Sequence, residues 1–174
     1  MKMQFTYNIF LIGFMGSGKS TVADYLCEKF DMDVVEMDQV IAERERMSIS
    51  DIFEKHGELY FRDLETKLLV ELREKTNTVV SCGGGVAMRE CNVTEMKKHG
   101  KVVLLIAKPE TILERVENNH DRPLLENNKT VAYIAELMEK RREKYEAAAD
   151  MIIETDGKSA QKICEEIIQR LGER

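Results

Sequence analysis

Residues 13–21 read Gly-Phe-Met-Gly-Ser-Gly-Lys-Ser-Thr, a complete G-x-x-x-x-G-K-[ST] loop. Before it lies Asn8–Ile12, an apolar run of strand length. Behind it, Val22, Ala23, Leu26 and Phe30 recur at helical spacing. A strand feeding a glycine-rich loop and then a helix constrains the chain more than any other segment does, because it commits the first unit to an α/β architecture. Gly13, Gly16 and Gly18 allow positive φ and a close backbone approach to phosphate. Gly16, Ser17, Gly18, Lys19, Ser20 and Thr21 form the expected nucleotide cradle: Lys19 supplies charge for the β and γ oxygens, Ser20 a hydroxyl for Mg²⁺, and the following helix its positive N-terminus. A glycine-rich turn with a chance lysine is the plain alternative, and it leaves the flanking strand and helix patterns unexplained.

Further strand-like runs at Val34–Met37, Thr78–Cys82, Val102–Ile106 and Met151–Ile153 alternate with helical segments. Helices are predicted over Lys19–Phe30, Gln39–Arg46, Ser50–Lys75, about Glu90–Lys98, Pro109–Glu117, Lys129–Ala147 and Ser159–Leu171. This alternation predicts βαβ units and a parallel sheet covered on both faces. With 174 residues, one domain that buries about 70% of its unfolded surface suffices. The polar stretch 118–128, containing Arg122-Pro123-Leu124-Leu125, is a candidate lid.

Composition excludes several classes. The chain is 43% hydrophobic and 33% charged with a net charge of −6, which disfavours a broad nucleic-acid surface, and no apolar run has the length of a membrane span. Nothing upstream of Gly13 resembles a signal peptide. Cys27, Cys82, Cys91 and Cys164 lack C-x-x-C pairing and are expected as buried, reduced thiols of a cytoplasmic protein. His56, His99 and His120 are isolated.

In an open parallel sheet, ligands collect at the carboxyl ends of the strands. The second strand runs into Glu36 and Asp38, which face the same side if the backbone stays extended. One acid could serve a metal and the other an acceptor hydroxyl, although Asp38 would also suit a helix N-cap. The third strand runs into Gly83-Gly84-Gly85, either a flexible turn or bare backbone brought against a polar ligand. Arg62 falls two residues from Tyr60 and from Leu64, off the stripe Phe53, Tyr60, Leu64 and Leu68, so a solvated pair with Glu65 is a fair reading of it. On the helix from Lys129, Ile134, Met138 and Tyr145 mark an apolar face that Arg141 joins; Arg142 is nearly as well placed. Arg122 could close over a γ-phosphate as an arginine supplied in cis.

Together these residues resemble the shikimate kinases, small P-loop kinases of aromatic amino-acid biosynthesis. The likeness spans nearly the whole chain. It rests on the loop 13–21, the acidic pair ending at Asp38, Ser48-Ile49-Ser50-Asp51-Ile52-Phe53, Gly57-Glu58 with Phe61-Arg62 and Glu65, Gly83-Gly84-Gly85, Arg122-Pro123-Leu124-Leu125, and Arg141 four before Tyr145. The resemblance implies a three-layer α/β/α P-loop fold, similar to nucleoside-monophosphate kinases, with five parallel strands in the order 2-3-1-4-5. It implies one domain over 1–174, with a substrate-binding segment about 38–65 and a lid about 112–127. The implied reaction is ATP + shikimate → ADP + shikimate 3-phosphate, with Mg²⁺, in a cytoplasmic monomer without nucleic-acid or membrane partners. By the same resemblance Lys19, Asp38 and Arg122 are catalytic, Arg115 and Arg122 join the nucleotide site, Ser20 and Glu36 serve the metal, and Asp38, Arg62, Gly83, Gly84, Gly85 and Arg141 hold shikimate.

Two positions depart from the family pattern. Glu36 replaces the usual Asp, and Arg46 stands where a glycine commonly precedes the Ser-Ile segment, so strain is expected if Arg46 adopts positive φ. Rival readings are a gluconate or nucleoside-monophosphate kinase of the same architecture, and a nucleotide-dependent switch. The nearest string to a guanine-binding Asn-Lys-x-Asp, Asn128-Lys129-Thr130-Val131, lacks the acid.

Overall fold

The computed structural model describes residues 4–117 and 130–172. Five parallel strands form one sheet: β1 (Asn8–Ile12), β2 (Asp33–Glu36), β3 (Thr78–Ser81), β4 (Gly100–Ile106) and β5 (Met151–Glu154), in the order β2-β3-β1-β4-β5. The order expected from the family resemblance is the one observed. Phe10 sits between Val80 and Val102 across the three central strands, so β1 is the middle of the sheet. Its five residues are all buried, as expected of a strand covered on both faces.

Eight α-helices surround the sheet among the described residues: α1 (Lys19–Phe30), α2 (Met37–Glu45), α3 (Ile49–His56), α4 (Glu58–Glu71), α5 (Glu90–His99), α6 (Pro109–Val116), α7 (Val131–Ala148) and α8 (Ala160–Gly172). Successive strand residues point to opposite faces. Ile9, Leu11, Val103 and Leu105 therefore pack under α1 and α8 against Val22, Leu26, Ile163 and Ile167. Phe10, Ile12, Val102 and Leu104 pack on the other side against Ile41, Phe61, Leu68 and Ile134. Each such side chain contributes about 1.5–3 kcal/mol by leaving water. Asn8, fully buried at the start of β1, is satisfied by bonding across strands: its amide donates to Lys75 O at 3.0 Å and its carbonyl accepts from Thr78 N at 3.3 Å. Among the described residues no helix is long and apolar enough to cross a membrane.

The structure corrects four local expectations. The continuous helix predicted over Ser50–Lys75 is broken at Gly57, whose φ of 88° and ψ of 167° no helix accommodates, and α4 ends in a short 3₁₀ turn over Leu72–Glu74. β2 stops at Glu36, and Asp38 lies in the first turn of α2. The two acids are thus brought together by the strand-to-helix turn and not by strand parity. Nor is Asp38 the N-cap; that position is Glu36, which makes no side-chain cap bond. Among the cysteines only Cys82 and Cys164 are buried, while Cys27 and Cys91 are exposed. The lid expected over 112–127 begins inside α6, and residues 118–127, Arg122 included, lie outside the described residues. His120 lies outside them as well.

Arg46 has φ 56° and ψ 37° at the C-cap of α2, with its N–H bonded to the last carbonyls of the helix. A left-handed C-cap usually falls to glycine. The strain foreseen for an arginine at this position is therefore present in the backbone.

Candidate active site

At the carboxyl edge of the sheet, a cleft of about 310 Å³ is lined from one end by the phosphate loop and from the other by α2, α4, the loop after β3, and α7. Gly16 and Gly18 take φ of 80° and 98°, and Gly18 is the N-cap of α1 without a side-chain cap bond. The first-turn N–H groups of a helix have no intrahelical acceptor, so this uncapped end is an anion site. Lys19, nearly buried, donates from Nζ to Gly13 O at 2.8 Å and Phe14 O at 3.1 Å. The loop's own carbonyls thereby aim the ammonium along the cradle. Lys19, Ser20 and Thr21 all reach the cleft, whereas the Ser17 side chain is buried and turned toward a separate apolar cavity beside Phe14 and Met138. Ser17 does not line the cleft.

α6 packs directly on this loop. A Cβ on Gly16 would come within 2.8 Å of Val116 Cγ1, so close contact requires glycine there. Arg115 Nη1 donates to Gly16 O at 2.9 Å and reaches Thr155 Oγ1 at 3.5 Å, which ties the arginine to the loop at the cleft. The start of α6 is capped from another loop: Asp156 accepts from Lys108 N at 3.1 Å and from the Thr111 hydroxyl at 2.6 Å.

In the other half, Gly83, Gly84 and Gly85 each make room for a charged group. A Cβ on Gly83 would lie 2.6 Å from Glu65 Oε2 and 2.9 Å from Asp38 Oδ1. One on Gly84 would lie 3.2 Å from Arg141 Nη1, and one on Gly85 2.7 Å from Arg62 Nη2. Two carboxylates and two guanidinium groups therefore converge on one bare backbone. The flexible-turn alternative for these glycines accounts for none of this.

Arg62 is not solvated. Its side chain, 16% exposed, pairs with Glu65 at 2.8 Å and Glu58 at 3.2 Å, and its guanidinium lies 5.3 Å from the Phe61 ring centre and 5.8 Å from that of Phe53. Of the stripe Phe53, Tyr60, Leu64 and Leu68, Leu68 is buried in the core, Phe53 and Leu64 pack against that core, and only Tyr60 does not belong. Phe61, Glu65, Leu68 and Leu69 face inward, Tyr60 is exposed, and Arg62 flanks the buried face at the cleft. Between the two arginines of α7, the structure selects Arg141: it lines the cleft 5.8 Å from the Phe14 ring centre, while Arg142 is exposed and pairs with Glu139 at 2.9 Å.

Glu65 is the residue whose place the sequence least revealed. It is fully buried, one oxygen pairs with Arg62, and the other has no hydrogen-bond partner. Burial pushes its carboxyl up to about 7 and the Asp38 charge adds to this, opposed by Arg62 and Arg141. Its i+3 spacing from Arg62 was visible; its burial required knowing which face of α4 turns inward. Glu36 is also held above the usual carboxylate range by burial, against the lowering effect of the Ser20 and Ser81 hydroxyls. One Glu36 oxygen is buried without a hydrogen-bond partner. No cluster of three or more His, Cys, Asp or Glu side chains suited to a metal occurs among the described residues.

The shikimate kinase family profile matches residues 15–172. A shikimate kinase from Persephonella marina is 45% identical over 94% of this chain and 98% of its own length. Among solved structures, a shikimate kinase from Acinetobacter baumannii in complex with shikimate superposes with a TM-score of 0.91 at 33% identity, covering 96% of this chain and 93% of that one. The shikimate kinase from Aquifex aeolicus gives 0.82 at 38% identity, covering 95% and 96%. A gluconokinase from Sinorhizobium meliloti, at 17% identity and a TM-score of 0.61 over 98% of this chain and 94% of its own, shares the fold alone. With the family profile matching residues 15–172 and these relatives matching the chain almost end to end, the protein belongs to the shikimate kinase family.

Proposed function

We propose that this chain transfers the γ-phosphoryl group of ATP to the 3-hydroxyl of shikimate, releasing ADP and shikimate 3-phosphate, with each half of the cleft handling one substrate. The observation that carries this reading is the convergence of Asp38, Glu65, Arg62 and Arg141 on Gly83–Gly85. A carboxylated polyol needs cations for its carboxylate and an acid to orient its hydroxyls, and this pocket supplies both.

The uncapped N-terminus of α1 and the Gly16–Thr21 backbone bind the phosphates, Lys19 stabilises the charge that builds on the transferring group, and Arg115 lies against the base. Arg62 and Arg141 hold the acceptor carboxylate. Asp38 orients the hydroxyl: as its oxygen bonds to phosphorus and the bond to the β-phosphate oxygen breaks, the hydroxyl proton passes to the Asp38 carboxylate and ADP leaves with the electron pair. Arg122, outside the described residues, is assigned by resemblance to the γ-phosphate.

Ser20 and Glu36 fit a Mg²⁺ ion. Both offer hard oxygen donors, the Ser20 hydroxyl lies against the Glu36 carboxylate, and one Glu36 oxygen is buried without a hydrogen-bond partner. Mg²⁺ is held by one or two protein oxygens plus substrate phosphates, so the lack of a larger acidic cluster among the described residues suits it. When bound, the ion neutralises charge on the β and γ oxygens. Glu36, one methylene longer than Asp, would supply the second of the two protein oxygens.

The whole chain acts as one kinase domain, with 38–65 forming the acceptor segment. We infer a cytoplasmic monomer; the net charge of −6 and four free cysteines support that setting. A coupled ADP-release assay offering shikimate, gluconate and nucleoside monophosphates tests the assignment. Shikimate is expected as the clear best acceptor; preference for another, or acceptor-independent hydrolysis, overturns it.

A further inference from the structure

Tyr145 sits on α7 one turn beyond Arg141, with only 5% of its surface exposed. Its hydroxyl donates to Gly84 O in a short hydrogen bond and lies 3.5 Å from Arg141 Nη1, which donates to it. One phenol oxygen therefore uses its single proton on the triple-glycine loop and its lone pair on the acceptor arginine. Both partners line the cleft; Tyr145 does not. Because a trans peptide holds C=O and N–H antiparallel, fixing Gly84 O toward α7 also fixes the Gly85 N–H away from α7. Glycines at 83–85 cost more backbone entropy than any other residue to hold in one conformation, so an external tether matters most here. Gly84 is also where a Cβ would approach Arg141, so loop and arginine share one narrow gap that the phenol bridges.

We propose that Tyr145 is a positioning residue for acceptor recognition: its hydroxyl locks the Gly84–Gly85 peptide and the Arg141 guanidinium into one rigid pair and sets the affinity for the acceptor, not the phosphoryl-transfer step. Burial holds the phenol above its ordinary range, so it stays protonated and the donation to Gly84 persists across neutral pH. The inference rests on the shikimate-phosphorylating reading of the cleft.

Tyr145→Phe keeps the ring and removes only the hydroxyl. Steady-state kinetics of the full chain should show the shikimate KM raised about tenfold, with the ATP KM and kcat within about twofold of the parent. The rise in Tm that saturating shikimate gives the parent should shrink in the variant, while the Tm without ligand stays within a few degrees. A shikimate KM within twofold of the parent overturns the proposal, and so does an equal rise in both KM values, which would indicate a general loosening. Parent chain inactive toward shikimate refutes the activity and the inference with it; parent active with Tyr145→Phe unaltered refutes the inference alone.

Discussion

The two ends of the cleft are built in opposite ways. The phosphate end comes from one unbroken stretch, residues 13–21, and works through backbone: positive-φ glycines, an uncapped helix terminus and carbonyls that aim Lys19. The end we assign to the acceptor is assembled from α2, α4, the loop after β3 and α7, with side chains whose charges meet over three glycines. Triphosphates are alike, so a local backbone device can serve many kinases, whereas discriminating one small acid requires groups from distant parts of the chain. Relatives under 20% identical, such as the gluconokinase, retain the fold.

Variants that separate the two ends test this division. Lys19→Ala should have the largest effect, lowering kcat about 10³-fold, comparable to losing a transition-state donor, while shikimate binding measured calorimetrically stays near the parent value. Weakened shikimate binding in that variant would break the division. Asp38→Asn should lower kcat by about 10²-fold or more, the lower range for acid–base groups; unimpaired turnover would leave Asp38 as structure only. Arg62→Ala or Arg141→Ala should weaken acceptor binding by about 2 to 5 kcal/mol, the range for uncovering a buried charge pair, with the ATP KM little changed. An unchanged shikimate KM removes the residue from the acceptor end.

A subtler effect follows from Glu65. Its folded-state carboxyl lies near 7 against 4.5 in an open chain, so the native protein keeps a proton that the unfolded chain releases. The stability linked to that proton is complete below about pH 4.5 and is lost as pH rises through about 7. If Arg62 holds the acceptor carboxylate as proposed, ionised Glu65 competes with it for that guanidinium. The shikimate KM should therefore rise as pH increases through about 7, and Glu65→Gln should flatten the profile. A parent profile already flat refutes this. The smallest effect belongs to Arg46, far from the chemistry: Arg46→Gly should relieve about 1 kcal/mol of left-handed strain and raise Tm by about 2–4 °C. No rise in Tm removes the strain argument.

The same contrast governs what could be read from sequence. The phosphate loop, five strands and most helices were legible because contiguous patterns carry them. The order of the strands came only through family resemblance, since periodicity does not encode which strand lies beside which. At the acceptor end the residue types were visible but their facing was not. Tyr60 and Phe61 are adjacent aromatic residues, and placing Tyr60 on the apolar stripe turned Arg62 toward solvent, whereas Phe61 is the one buried. The break at Gly57 was present as a lone glycine in a helical pattern, which helices often tolerate at about 1 kcal/mol; here it carries a backbone angle no helix allows. Periodicity alone did not separate Arg141 from Arg142; the family resemblance named Arg141, and the packing of α7 buries Ile134 and Tyr145 and leaves Arg142 outside.

Phe14 belongs to both ends. Its carbonyl receives the Lys19 ammonium and its ring stands beside the Arg141 guanidinium, so a single amino acid touches the cation we assign to each substrate. Whatever tilts that ring or shifts that peptide therefore disturbs two cations at once, so a substitution at position 14 cannot be confined to either of them.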